Sequence, residues 1–554
     1  MRRAVAALVV GAALLAPASA SAHATLQASS PERGQRLGAP PQEVMLRFDE
    51  PVEASFGALR VFDERGREVQ QGKPFRPGGR STQVAVRLRP GLGRGGFTAT
   101  YRVISADSHP VSGGFVFTVG DASAPAKTVD ELLQGGDAGP VTATAFAVVR
   151  AVQYAAIAIA LGALVFLLWA WAPLGIGGAA GAAFARGLRR LLVVASAAGL
   201  LSALAGLVLQ GATAGGTSVW AALDADVIDA VLSTRFGGVW GAGALAWLAA
   251  LIGALAVPPG AALLPPLLAL ALLPALGGHA GVQPPVWLNA SANVVHVLAV
   301  SAWLGGMAVL VLVLRGATRE LEPAERTRAL AATVGRFSTL AGGAIALVLA
   351  TGVVQAVIGM SAFGELLDTP YGRAVLIKLA LLLAIVGFGW LNRARLLPRL
   401  RSATTPGAAG VLLRRTLRVE LALAAVVLGT TGALAGYQPS NMVAAGPFAT
   451  DVRLGPARLE VTVQPARVGA NEMHLYLFAR SDGRQYDATK ELTVHASLPG
   501  KRVAPIELSP RKAGPGHYVV SGAAFAIAGD WKVEVAARVS EFDEHRTSFE
   551  VPIR

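Results

Sequence analysis

Eight apolar runs, separated by short loops, constrain this chain more than any other feature. They fall at about residues 145–172, 188–212, 236–257, 261–278, 291–314, 334–359, 373–392 and 413–436. Most exceed the roughly 18 residues a helix needs to cross a bilayer core, so the middle of the chain is expected to be an eight-span helical bundle. The composition agrees, with 53% hydrophobic and only 15% charged residues. The fourth run is short and contains Pro265, Pro266 and Pro274, which predicts a kinked or irregular span. The stretch 218–232, "SVWAALDADVIDAVLST" in its setting, reads as an amphipathic interfacial helix rather than a crossing.

The net charge of +14 is placed in the loops. Arg186, Arg189 and Arg190 follow the first run, and seven arginines with no acid lie in 393–418. The loop between runs five and six is mixed, while Asp224, Asp226, Asp229, Glu365 and Asp368 occupy the opposite loops. That asymmetry follows the positive-inside rule, so the ends of the chain flanking the bundle are expected outside the cytoplasm. No nucleic-acid-binding signature accompanies the arginines, and nucleic acid is not expected as a partner. Arg150, Arg373 and Lys378, near outer span ends, are expected to snorkel to the headgroups. Gly305 and Gly306 are expected to let helices approach closely.

The first residues read as a secretory signal: Arg2 and Arg3, the apolar stretch 4–16, then "PASASAHA". Cleavage after Ala22 would make His23 the mature N-terminus, with residues 1–22 as signal peptide; cleavage after Ala20 is the alternative. Residues 23–120 alternate apolar and polar in "EVMLRFDE", "GALRVFDERG", "TQVAVRLRP", "FTATYRVIS" and "GGFVFTVG", separated by Gly/Pro turns. This predicts an exported Greek-key β-sandwich or barrel. A linker at 121–144, the bundle at 145–437 and a second exported β-sandwich at 450–554 complete the organisation, the last read from "NEMHLYLFAR" and "WKVEVAARV".

The chain has no cysteine, so any metal must be held by His, carboxylate, Met or backbone groups. "YRVISADSHPVSGGFVFTV", residues 101–119, reads as strand, turn and strand; if extended, Asp107 and His109 share a face. A plain turn cap would use the same residues. With the His23 imidazole and a free terminal amine, the set suits Cu(II) in tetragonal N/O ligation, or zinc in a tetrahedral one. Glu50 in "FDEPV" is a further acidic neighbour.

A second set lies in the bundle. His296 sits inside the fifth run, where an ionisable residue is costly and marks function by default. On a regular helix His296, Trp303 and Met307 share a face. His279 and Met360, at outer ends of neighbouring runs, complete a possible membrane copper path, and imidazole with thioether suits Cu(I). A buried histidine bonded to a carbonyl, with Met as filler, is the plain alternative. His474, His495, His517 and His545 of the tail read as surface residues, and Met473 and His474 should point to opposite faces of a strand.

These residues carry a resemblance. "HATLQASSPERGQRL", "LRFDEPVE" and "ISADSHPVSGGFVFTV" resemble the CopC family of exported copper-binding β domains. That resemblance implies a Cu(II) site of His23, Asp107 and His109; the family's Met-rich Cu(I) loop has no counterpart, Met45 being the domain's one methionine. "HVLAVSAWLGG", "RFSTLA", "YGRAVLIKLALLL", "NRAR" and "LRVELALAAVVLGTTGALA" resemble CopD, the membrane protein of copper-handling systems. The tail resembles YtkA-like domains, and the whole is similar to YcnJ-type CopC–CopD fusions of copper uptake and resistance. The resemblance implies capture of Cu(II) outside the inner plasma membrane and copper import, with the ion, the bilayer and an exported copper chaperone as partners. No phosphate-binding loop or D-K-T-G sequence is present, and no nucleophile–His–acid arrangement, so an enzyme is not expected. Two alternatives remain open at this point: a copper-sequestering resistance protein without transport, and a membrane copper reductase with His279 and His296 as haem ligands.

Overall fold

In the computed structural model, all residues are described except 1–23, 25, 33–34, 55–57, 107–109, 121–138, 217, 219, 361–362, 403–406, 437–447, 465, 467, 482–483 and 554. The signal-peptide reading therefore lies outside the described residues.

The N-terminal domain is a sandwich of two four-stranded sheets. Its strands are β1 (Leu26–Ser30), β2 (Arg36–Leu37), β3 (Glu43–Phe48), β4 (Leu59–Phe62), β5 (Gln70–Phe75), β6 (Gln83–Leu88), β7 (Gly95–Ile104) and β8 (Pro110–Val119). The sheets run β1-β3-β6-β5 and β2-β8-β7-β4, so the chain crosses between them repeatedly, as a Greek-key sandwich does. Alternation explains the central strands: Val44, Leu46 and Phe48 of β3 are buried while their neighbours face out. Phe48 meets Tyr101 edge to face at 5.6 Å across the core. Strands β1, β2 and β5 lack that alternation because they are edges with little to bury.

The helical region contains α1 (Gly139–Phe166), α2 (Gly178–Gly215), α3 (Ala225–Leu232), α4 (Arg235–Ala256), α5 (Leu264–Leu276), α6 (Val286–Leu312), α7 (Pro323–Gly359), α8 (Pro370–Leu391) and α9 (Gly407–Leu434). Seven of the described helices are long and apolar enough to cross a membrane; the fourth apolar run forms only the shorter stretch Ala261–Leu276. Its prolines account for this, with Pro265 and Pro266 in the first turn and Pro274 inside α5. The short helix α3 stands where the amphipathic segment was expected.

Helix α6 is not regular. A π turn occupies Ser301–Gly305, and there α6 crosses α1 at glycines. A Cβ on Gly162 would lie 2.0 Å from the Ser301 carbonyl oxygen, and one on Gly305 would lie 2.0 Å from that of Ala158. Gly306 instead makes room for the Phe337 ring, whose Cε2 would lie 2.4 Å from a Cβ there. The expected packing role is thus realised at Gly305 in backbone-to-backbone approach and at Gly306 in seating an aromatic ring.

The C-terminal domain is a second sandwich, built from β9 (Phe448–Leu454), β10 (Ala457–Gln464), β11 (Gly469–Ala479), β12 (Glu491–Leu498), β13 (Val503–Leu508), β14 (Arg511–Gly514), β15 (His517–Phe525), β16 (Gly529–Arg538) and β17 (Glu544–Ile553). Its sheets run β14-β15-β11-β10-β9 and β13-β12-β16-β17. Met473 is fully buried in the core between them, and His474 is on the other face, as strand alternation requires. The surface reading fails for His517, which is only 7% exposed.

Candidate functional sites

His23, Asp107 and His109 lie outside the described residues; their frame does not. Ala24 is buried in the core of the N-terminal sandwich, which ties down the chain next to His23. Strand β1 pairs antiparallel with β3, Leu26 opposite Phe48. The Glu50 carboxylate accepts the Ala106 backbone N–H through Oε1 at 3.2 Å, one residue before Asp107. Glu53 and Ile104 exchange both backbone hydrogen bonds, at 2.8 and 3.1 Å. Ile104 in turn pairs with Pro110, the first residue of β8. The segment 50–53 is therefore the seam on which the described flanks of the 107–109 connection converge. Glu50, read from sequence as an acidic neighbour, serves this seam by holding backbone.

In the helical region a run of polar side chains joins α6 to α7. Gln283 donates to the Ile358 carbonyl at 2.8 Å, and Asn289 donates to Gln283 at 3.3 Å. Asn293 donates to Gln355 at 3.1 Å, and His296 Nδ1 lies 2.9 Å from Thr351 Oγ1. Positions 289, 293 and 296 are one face of α6, and 351, 355 and 358 are one face of α7, at spacings of four and three. Sequence reading found only His296 of this set. The others were visible as amides and a hydroxyl at helical spacing inside apolar runs, a signal that Thr and Gln do not announce singly.

The Thr351 hydroxyl donates to the Leu347 carbonyl at 2.6 Å, so it accepts from His296. The ring also bonds to the Val348 backbone, and with its proton on Nδ1 a neutral imidazole carries at Nε2 the lone pair that binds a metal. The Asn293 Oδ1 is buried without a hydrogen-bond partner among the described residues. Lys378 on α8 lies near enough to His296 to interact with it electrostatically, so it belongs to this neighbourhood rather than to the headgroups. Arg150 lies over the Phe146 ring at 3.8 Å.

The remaining membrane candidates are spread along the helices. Met307 is fully buried in the core and Trp303 is nearly so. The intervening π turn adds a residue to the helical count, so the shared face expected for His296, Trp303 and Met307 is broken. Eleven residues also separate His296 from Met307, about 16 Å of rise at ~1.5 Å per residue, so they do not share one ion. Met360 follows the end of α7, two residues beyond the carbonyl that Gln283 holds; the Gln283 backbone N–H donates to the His279 carbonyl at 2.9 Å. His279 and Met360 thus mark one end of the polar run, His296 the other, and Met307 lies further along α6.

A second polar cluster was not foreseen. Glu420 of α9 is only 4% exposed; Asn392 donates to it, and Thr416 donates to Asn392 at 2.6 Å.

Comparison with known proteins assigns these regions. The CopC domain family matches residues 26–120, the N-terminal domain family of copper resistance protein D-like proteins matches 141–284, and the copper resistance protein D family matches 331–434. Copper transport protein CutJ of Bacillus subtilis is 26% identical over 566 residues, covering 96% of each chain. Inner membrane protein YebZ of Escherichia coli is 31% identical over 244 residues, 43% of this chain and 81% of that protein. The crystal structure of CopC from Methylosinus trichosporium OB3b is 27% identical, covering 19% of this chain and 98% of that one, with a TM-score of 0.17. With an N-terminal CopC domain joined to a CopD-type helical region in one polypeptide, the chain belongs to the CopC–CopD family of copper transport and resistance proteins.

Proposed function

We propose that this protein captures Cu(II) outside the inner plasma membrane and passes copper through its helical region into the cytoplasm, as a carrier rather than an enzyme. Capture falls to His23, with its amine and imidazole, and to Asp107 and His109; Glu50 and Glu53 hold the backbone at Ala106 and Ile104, just ahead of Asp107. Imidazole, amine and carboxylate donors suit Cu(II). Both sandwiches lie on the periplasmic or extracellular side, the arginine-rich loops in the cytoplasm. An exported copper chaperone and the lipid bilayer are the further partners. The relative CutJ is named a copper transport protein, which favours transport over sequestration.

One observation carries the transport reading: His296 is held inside a helical region by Thr351, at the end of a polar run spanning α6 and α7 that starts near His279 and Met360. A protein that only sequesters metal at its exported domain has no use for that run, and polar groups among apolar helices are costly unless they serve function. His279 and Met360 stand at the entry, and Asn293 Oδ1 adds an oxygen donor beside His296. The test is cytoplasmic copper in copper-limited cells with the protein, without it and with His296→Ala. Accumulation that requires His296 is expected. Copper held at the cell surface, with none gained inside, would make the protein a sequestering one.

A further inference from the structure

Two imidazoles meet on one sheet face of the C-terminal domain. Strands β11 and β15 pair antiparallel with Tyr476 opposite His517, so His474, two residues from Tyr476 on the same face, stands diagonal to His517. His474 Nδ1 and His517 Nε2 are 3.1 Å apart, and the two rings lie within 15° of parallel. Tyr476 stacks on the His517 ring at 4.2 Å and fixes its orientation. The His474 side chain is 17% exposed, which leaves an approach from solvent, and Glu472 Oε1 lies 3.8 Å from its Nε2.

This arrangement is a chelate in waiting. A hydrogen bond between two neutral imidazoles holds one proton between two nitrogens, one of which must be bare. Two nitrogens bound to one ion at ~2.0–2.1 Å, at angles of about 90–110°, stand roughly 2.8–3.4 Å apart, which brackets the observed separation. Among the described residues no three His, Asp or Glu side chains form a metal-holding group, so this pair supplies two ligands and water completes the shell.

We propose that His474 Nδ1 and His517 Nε2 form a second copper-binding site, taking one Cu(II) between two neutral imidazoles as the proton of their hydrogen bond moves to the other nitrogen of the ring that donated it. The choice of copper rests on the function proposed above; the pairing of the two nitrogens does not. The test uses the full-length protein carrying His23→Ala and His109→Ala, so that the N-terminal site is out of play. Equilibrium dialysis against Cu(II) should retain one equivalent, with nitrogen hyperfine coupling in its EPR spectrum. His474→Ala or His517→Ala should weaken it at least ~10-fold, and His495→Ala should not. Unchanged binding in both variants overturns the site. Because His517→Ala removes a buried ring, a second measurement uses the histidines intact: bound Cu(II) should protect His474 from diethyl pyrocarbonate, and unprotected labelling equally overturns the site. Retention of Zn(II) but not Cu(II) overturns the copper assignment. Cells that import no copper, with the His517-dependent equivalent intact, would sink the transport reading and support this site.

Discussion

The helical region and the two sandwiches place polar side chains by opposite rules. Between α6 and α7, polar side chains are matched across the helix pair, Asn293 to Gln355 and His296 to Thr351, because no water is at hand in an apolar setting. On the sandwiches, one face of each sheet builds the core and the other meets solvent, so His474 and Glu472 need no such matching to be tolerated. The lesson is that a polar residue in the helices is evidence of function by its cost, whereas in the sheets it becomes evidence only by its geometry.

The largest effect should come from breaking the close packing that the helical arrangement requires. Gly305→Ala sets a methyl against the Ala158 carbonyl and should destabilise the detergent-solubilised protein by about 3 kcal/mol or more in thermal unfolding. Gly238→Ala, with open space around its Cβ, should leave the transition in place. Next, His296→Ala should abolish copper uptake while leaving Cu(II) binding at the N-terminal domain unchanged. Thr351→Val, which removes the acceptor for Nδ1–H, should cut uptake roughly 10-fold; full uptake in that variant would show that the ring proton is not set by Thr351. In the N-terminal sandwich, His23→Ala or His109→Ala should weaken Cu(II) binding about 100-fold by titration of the whole chain, and Asp107→Asn about 10-fold. A residue inserted ahead of His23 should change the Cu(II) EPR spectrum if the terminal amine is a ligand. Smallest, Glu50→Gln keeps an oxygen acceptor for the Ala106 N–H and should lower Cu(II) affinity only a few-fold. A loss as large as that of His109→Ala would place Glu50 on the metal instead.

Reading the chain in order reached the three-part architecture, because apolar runs of bilayer length and strand alternation are local patterns. It also reached His296, since one imidazole in an apolar run is conspicuous. It read Lys378 as a snorkelling residue, because its distance from a helix end is visible in sequence and its neighbour on α6 is not. It placed Trp303 and Met307 with His296 because a π turn leaves no mark in the residue types that form it. Glu420 passed unremarked for a related reason: a single carboxylate near a run end looks solvated until Asn392 and Thr416 are found against it.

By itself, the sequence determined the membrane-length helices, the flanking β domains, the absence of any thiolate ligand and the motifs at His23, Asp107 and His109. Those depend on composition and short-range periodicity, which every residue carries in its own side chain. Only the tertiary structure decided which polar groups meet. Thr351 comes to His296 from 55 positions away, and His517 to His474 from 43. Such partners are chosen by helix crossing and strand register, which depend on the packing of the whole core and not on the neighbours of either residue.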